Sequence, residues 1–229
     1  MLYSHVQMAG PYTLAELALA IGVAVVLGSV PTAYLVARAR GVNIFAVGTR
    51  QAGATNVYHE VGRLSGGFVL FVDAGKGALA IWLASTLVGL SGPWLFLPAF
   101  AAVMGHWNSP MTRFRGGDGV ATGVGVAVAI APAGLLVPAL IGMVLTLALK
   151  NVTAHPSLWA GVIGYATFLG ISLFAQTGLS GSMVLGLTGI GVMILLHSSV
   201  YHRRRRGTLP VQGVVTEAPE TTASGSLEP

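Results

Sequence analysis

VATGVGVAVAIAPAGLLVPALIGMVLTLAL, residues 120–149, contains no charged side chain. At ~1.5 Å per residue, some 30 helical residues would reach about 45 Å, whereas a bilayer core takes about 20. Pro132 and Gly134 lie inside the run. A proline removes a backbone donor and clashes with the preceding turn, so either one helix overshoots the membrane or the run breaks near Ala131-Pro132 into two shorter helices. Immediately before it stands a polar island, Arg113-Phe-Arg-Gly-Gly-Asp-Gly119. Glycines let a backbone approach a ligand closely, and a helix start offers unpaired N–H groups and a positive dipole end. The island therefore reads either as an anion cradle or as a polar loop whose small residues let helices pack.

The whole chain has the same character. Of its 229 residues, 54% are hydrophobic and 8% charged, against roughly 25% charged in a soluble domain. Mean hydropathy is +0.76. These values indicate an all-α, polytopic membrane protein. The absence of cysteine excludes disulfides and thiolate metal sites. The net charge of +5 reflects arginines beside membrane spans and does not point to nucleic-acid binding. The first apolar run lacks a basic leader and is read as a retained helix.

On either side of the polar island, spans are expected at Leu14–Val36, Phe68–Leu90, Leu95–Trp107, Leu158–Ala175 and Met183–Tyr201. Gly28-Ser-x-Pro31 marks a kink or a close helix contact in the first. The segment between Arg38 and Gly67 is polar, rich in small and amide residues, and suits a structured loop. Arginines concentrate in that loop (Arg38, Arg40, Arg50, Arg63), in the island (Arg113, Arg115) and at Arg203–Arg206. The positive-inside rule places these segments in the cytoplasm and the amino end outside. An even number of crossings must then follow the island, so the long run is expected to break, giving seven spans. Residues 1–206 form one membrane domain; 207–229, rich in Thr, Ser, Glu and Pro, reads as a disordered tail.

Asp73 and Lys76 fall inside the second span, where ionisable groups are costly and either functional or paired. Three residues apart, they share a helix face; mutual neutralisation and substrate contact both stay open. His106, at a helix end, is read equally as a carbonyl partner or a substrate contact. Trp82, Trp94, Trp107 and Trp159 are read as interfacial anchors. No His, Asp and Glu set has metal-ligand spacing, and no cofactor is expected.

Gly53-Ala-Thr-Asn56, Asp73-x-x-Lys76-Gly77, Gly105-His106 and Phe114-x-Gly-Gly-x-Gly-Val-Ala-Thr122 occur in that order. Together they resemble the bacterial acyl-phosphate:glycerol-3-phosphate acyltransferase family, PlsY, chiefly from Leu27 to Thr122 and more weakly from His197 onward. The resemblance implies a seven-helix enzyme of the bacterial inner membrane with its active face in the cytoplasm. It implies transfer of a fatty acyl group from acyl phosphate to the 1-hydroxyl of glycerol 3-phosphate, yielding lysophosphatidic acid for phospholipid biosynthesis. It also implies catalytic roles for Thr49 and His197. Substrate binding falls to Gly53, Asn56, Asp73, Lys76, His106, Arg115, Gly116, Gly117, Gly119 and Thr122. The expected partners are the two substrates and membrane lipids.

Several positions depart from the family pattern. Its first motif reads Ser-Gly-Asn-x-Gly-Ala-Thr-Asn with an arginine three residues later; here Thr49, Arg50 and Gln51 open it and His59 replaces the arginine. Asp118 stands where the family has lysine, a formal change of two charges at an expected phosphate site. In the third motif His197 and Arg203 match, but Val200 replaces asparagine. The sequence leaves two alternatives open: a non-catalytic relative that binds lipid or a partner, and a small organic-anion transporter. The latter is expected to carry inverted repeats, and no clear repeat is visible.

Overall fold

The computed structural model describes residues 11–149, 156–174 and 179–206. Among the described residues all regular structure is helical. The tail at 207–229 lies outside them.

Helix α1 (Leu14–Ser29) starts in a capping box. The Thr13 hydroxyl accepts from the Glu16 amide at 3.3 Å, and the Glu16 carboxylate accepts from the Thr13 amide at 2.7 Å. Two otherwise orphaned donors are thus satisfied, which explains an acidic residue at the edge of an apolar run. The helix stops at Val30; Pro31 follows, then α2 (Thr32–Ala39). Of the kink or close helix contact expected at Gly28-Ser-x-Pro31, both occur: the chain is interrupted between α1 and α2, and Gly28 lies against Ala102 of a later helix. Leu14–Ala39 as a unit is long and apolar enough to cross a membrane.

The polar segment contains α3 (Ala54–Glu60), and α4 (Arg63–Leu87) begins five residues before the apolar run does. Gly66 explains the early start: its bare backbone lies against Tyr58, seating the first turn of α4 on α3. A short 3-10 turn, Gly92–Leu95, leads into α5 (Phe96–Trp107), and another, Pro110–Thr112, follows it. The long apolar run is divided at Ala131 into α6 (Val120–Ile130) and α7 (Pro132–Leu149). Helices α8 (Pro156–Phe174) and α9 (Gly181–Arg206) complete the described chain. Besides Leu14–Ala39, helix α4 and residues Gly181–Ser199 of α9 are long and apolar enough to span.

Helix α1 packs on α5 and α4, α4 on α6, and α7 on α8. Small residues make the inner seams. A methyl group on Gly28 would overlap the Ala102 carbonyl, and one on Gly105 would lie 2.5 Å from the Val25 carbonyl oxygen. Between α4 and α6, Gly77 presses on the Thr122 carbonyl and Gly125 on the Ala74 carbonyl. Where lipid gives helices no hydrophobic reason to associate, such close approach supplies the dispersion contacts. The opposite faces carry Phe71, Trp82 and Leu87 outward, as a lipid-facing surface requires.

Candidate active site

The polar island folds back onto the end of α5. Arg113 and Phe114 both adopt the left-handed region, with φ of 55° and 60°, an unusual conformation for side chains of this size. It reverses the chain so that the Phe114 amide donates to the Ser109 carbonyl at 2.9 Å and the Gly116 amide to the Trp107 carbonyl at 3.0 Å. Only glycine fits here. A Cβ on Gly116 would overlap the His106 carbonyl oxygen, and one on Gly117 would lie 2.6 Å from both His106 Nε2 and the Ala52 carbonyl oxygen. The island is thus wedged between the end of α5 and the first polar loop.

The wedge opens directly into α6. Asp118 Oδ1 accepts from the Val120 amide at 3.4 Å, and the Asp118 carbonyl accepts from Trp107 Nε1 at 2.8 Å. Thr122, in the first turn of α6, is fully buried, and its hydroxyl has no hydrogen-bond partner among the described residues. Trp107 lies flat against His197 from α9, with ring centroids 3.9 Å apart and planes 10° apart. Its reading as an interfacial anchor is corrected: the indole is only 8% exposed and joins α5, the island and α9.

The first polar loop is organised by Asn56. Its amide nitrogen donates to the carbonyls of Ile44, Val47 and Gln51, and its oxygen accepts from the Thr49 amide. These bonds hold the backbone beneath Thr49 and Arg50, both exposed, and commit the Asn56 side chain to its own loop. Asn56→Ala is expected to remove all of them and cost about 2–4 kcal/mol, read as a lowered thermal midpoint in detergent together with faster proteolysis within residues 41–53. Gly53, by contrast, has open space where a Cβ would be. His59 is exposed and meets Tyr58 edge-on.

Beneath the island, Lys76 and Asp73 pair at 2.8 Å, both buried. Lys76 Nζ also donates to the Val30 carbonyl at 2.8 Å, at the break between α1 and α2. His106 Nδ1 stands 4.0 Å from Asp73 Oδ1, beyond direct hydrogen bonding. The ion pair therefore serves the helix break and the floor of the site.

Of the residues singled out in the sequence, the structure gathers Asp73, Lys76, His106, Gly116, Gly117, Gly119, Thr122 and His197 around the end of α5, with Thr49 and Gly53 on the adjoining loop and Asn56 in the first turn of α3. Arg115 is exposed, its guanidinium over the ring of Phe45. The side chains of Val200 and Arg203 lie outside the described residues. Sequence reading missed Gln51, whose side chain is buried with its amide nitrogen unpartnered among the described residues. Its position, where the family motif has asparagine, was the available signal.

A family model described as glycerol-3-phosphate acyltransferase matches residues 18–207. A glycerol-3-phosphate acyltransferase of Geobacter sulfurreducens is 36% identical over 188 residues, covering 81% of this chain and 92% of the relative. One from Geotalea daltonii is 36% identical over 193 residues, covering 84% and 95%. Two solved structures are similar, both of PlsY, an integral membrane glycerol 3-phosphate acyltransferase. The glycerol 3-phosphate form superposes with a TM-score of 0.69 at 25% identity, and the lysophosphatidic acid form with 0.67 at 26%. Each comparison covers 84% of this chain and 92% of the other.

Proposed function

We propose, from the premise that this chain belongs to the glycerol-3-phosphate acyltransferase family, that it acylates the 1-hydroxyl of glycerol 3-phosphate with acyl phosphate as donor. The hydroxyl oxygen forms a bond to the acyl carbon, the acyl carbon–oxygen bond to phosphate breaks, and the hydroxyl proton leaves. Lysophosphatidic acid and inorganic phosphate result. The observation that carries this reading is the glycine wedge, pinned on His106 and Trp107 and running straight into α6.

Acyl phosphate is an activated mixed anhydride, so no covalent acyl-enzyme is required. What the protein must do is bind two phosphates, align a hydroxyl with a carbonyl and stabilise the oxyanion. The Gly116 amide is spent on Trp107, so Gly116 contributes shape. The phosphate-facing donors are assigned to the backbone from Gly117 into the start of α6, with Arg115 at the mouth. Thr122 offers a hydroxyl inside the same turn. His197, held flat by Trp107, or the departing phosphate takes the proton. The Thr49 hydroxyl orients the acceptor from the facing loop.

Asp118 opposes this task, because its carboxylate already occupies a helix-start amide where a phosphate would be favoured. Asp118→Lys is expected to lower the KM for glycerol 3-phosphate by roughly tenfold, equivalent to about 1.4 kcal/mol. An unchanged or higher KM removes Asp118 from the phosphate site.

Purified protein given acyl phosphate and labelled glycerol 3-phosphate tests the reaction directly. With folded protein and several chain lengths tried, lysophosphatidate no higher than the catalyst-free control defeats it. Substituting acyl-CoA or an acyl-carrier-protein thioester tests the donor. We place the enzyme in the bacterial inner membrane with seven spans, its amino end outside and its site cytoplasmic. Because the chain has no cysteine, single cysteines at Thr13 and Arg63 report sidedness cleanly. Labelling of Thr13→Cys by an impermeant maleimide outside intact cells, and of Arg63→Cys only after lysis, is the expected pattern; the reverse inverts the topology.

A further inference from the structure

Arg115 caps one end of a column of stacked groups drawn from three parts of the chain. Its guanidinium carbon lies 4.2 Å from the centroid of the Phe45 ring. Phe45 in turn stacks on Tyr34, with centroids 5.9 Å apart and planes 27° apart. At the far end, Arg38 donates to the Tyr34 hydroxyl at 2.9 Å, its guanidinium carbon 5.9 Å from the Tyr34 ring centroid. Tyr34 and Arg38 are one turn apart on α2, Phe45 is on the first polar loop, and Arg115 enters the glycine wedge.

Stacking and hydrogen bonding use different parts of a guanidinium. The flat face meets the aromatic ring, whereas the N–H donors point outward in the guanidinium plane. Among the described residues, neither ion pair involves Arg115. An exposed arginine without such a face would spread over many rotamers and lose that freedom on binding. Phe45 removes part of this cost in advance while leaving the donor edge available to a phosphoryl group.

We propose that Phe45, backed by Tyr34, is a positioning residue that holds the Arg115 guanidinium ready to receive the phosphoryl group of a substrate. This rests on the reading of the glycine wedge as the phosphate site. The shared chemistry is a phosphate monoester dianion or an acyl-phosphate anion, and the kinetic arms separate the two.

The experiment is a double-mutant cycle of Phe45→Leu and Arg115→Ala in the full-length protein, with Phe45→Trp as the conservative variant. KM and kcat are measured with each substrate varied in turn. Phe45→Leu is expected to raise the KM for one of the two substrates roughly three- to tenfold, with kcat within about twofold. A shift for glycerol 3-phosphate assigns Arg115 to the acceptor; a shift for acyl phosphate assigns it to the donor. Phe45→Trp is expected to keep the wild-type KM, and Phe45→Leu is expected to add nothing once Arg115 is alanine. No shift for either substrate, or an equal shift in the Arg115→Ala background, overturns the proposal, as does failure of tryptophan to preserve binding. Equilibrium binding of glycerol 3-phosphate and of inorganic phosphate to the same variants repeats the cycle without turnover. An inactive wild type therefore counts against the proposed reaction, while loss of the binding cycle counts against the role of Phe45.

Discussion

Asp73→Ala is expected to destabilise the protein by about 3–5 kcal/mol, a fall in the thermal midpoint of roughly 10 °C or more for a chain of this size. The substitution leaves the Lys76 ammonium buried against α1 with the Val30 carbonyl as its remaining acceptor. A neighbouring carbonyl dipole does not neutralise a charge removed from water. Lys76→Met in the same background is expected to recover a large part of the loss, since a matched apolar pair removes both charges together. Tryptophan fluorescence melting in detergent reads both variants. An Asp73→Ala protein that melts with the wild type, or a double variant less stable than Asp73→Ala, would show that the pair carries no such energy.

Gly116→Ala is expected to lower kcat/KM at least a hundredfold while the protein remains folded. The added methyl overlaps the His106 carbonyl oxygen and lies 2.6 Å from the Trp107 carbonyl oxygen, both backbone atoms of α5. Neither can rotate away, so the wedge must lift from the helix and break the Gly116–Trp107 bond. A displacement near 1 Å in a site that works by alignment costs about 10²-fold. Gly75→Ala is the control: no atom lies within 4 Å of a Cβ there, and alanine is the better helix former. Its activity should match the wild type, with a thermal midpoint equal or slightly higher. Equal losses in the two variants would mean that the wedge has no special need for glycine.

Local chemistry explains what was legible beforehand. Pro31 and Pro132 stand where a new helix begins, the position at which a residue without an amide is tolerated, whereas Pro138 is carried inside α7. Asp73 and Lys76 meet because helical spacing alone brings them together. The early start of α4 was less visible, since hydropathy marks where lipid begins, and the first turn of that helix rests on Tyr58 instead. The packing of the site could not be read at all. Trp107 meets His197 only after α9 has returned to α5, and Phe45 meets Arg115 only after two loops have converged. A tryptophan bounded by apolar and polar sequence looks the same whether it faces lipid or another ring. Similarly, Asn56 was visible as a motif residue, but the four bonds that turn it inward depend on a loop path with positive φ at Gly48 and Arg50.

The paired glycine contacts of α1 with α5 and of α4 with α6 also restrict how these helices can move. At each contact a bare Cα faces a neighbour's backbone, so a shift of one residue along the seam would push a side chain into that space. Gly28 would be replaced by Leu27 or Ser29, and Gly77 by Lys76 or Ala78. Gliding along the helix axes is thereby blocked, and the four helices are geared together like a fixed ratchet. The α7–α8 seam carries the same kind of contact less tightly, since a Cβ on Gly164 would lie 3.2 Å from the Pro138 carbonyl oxygen, and more of the relative freedom of the helices is left to that side.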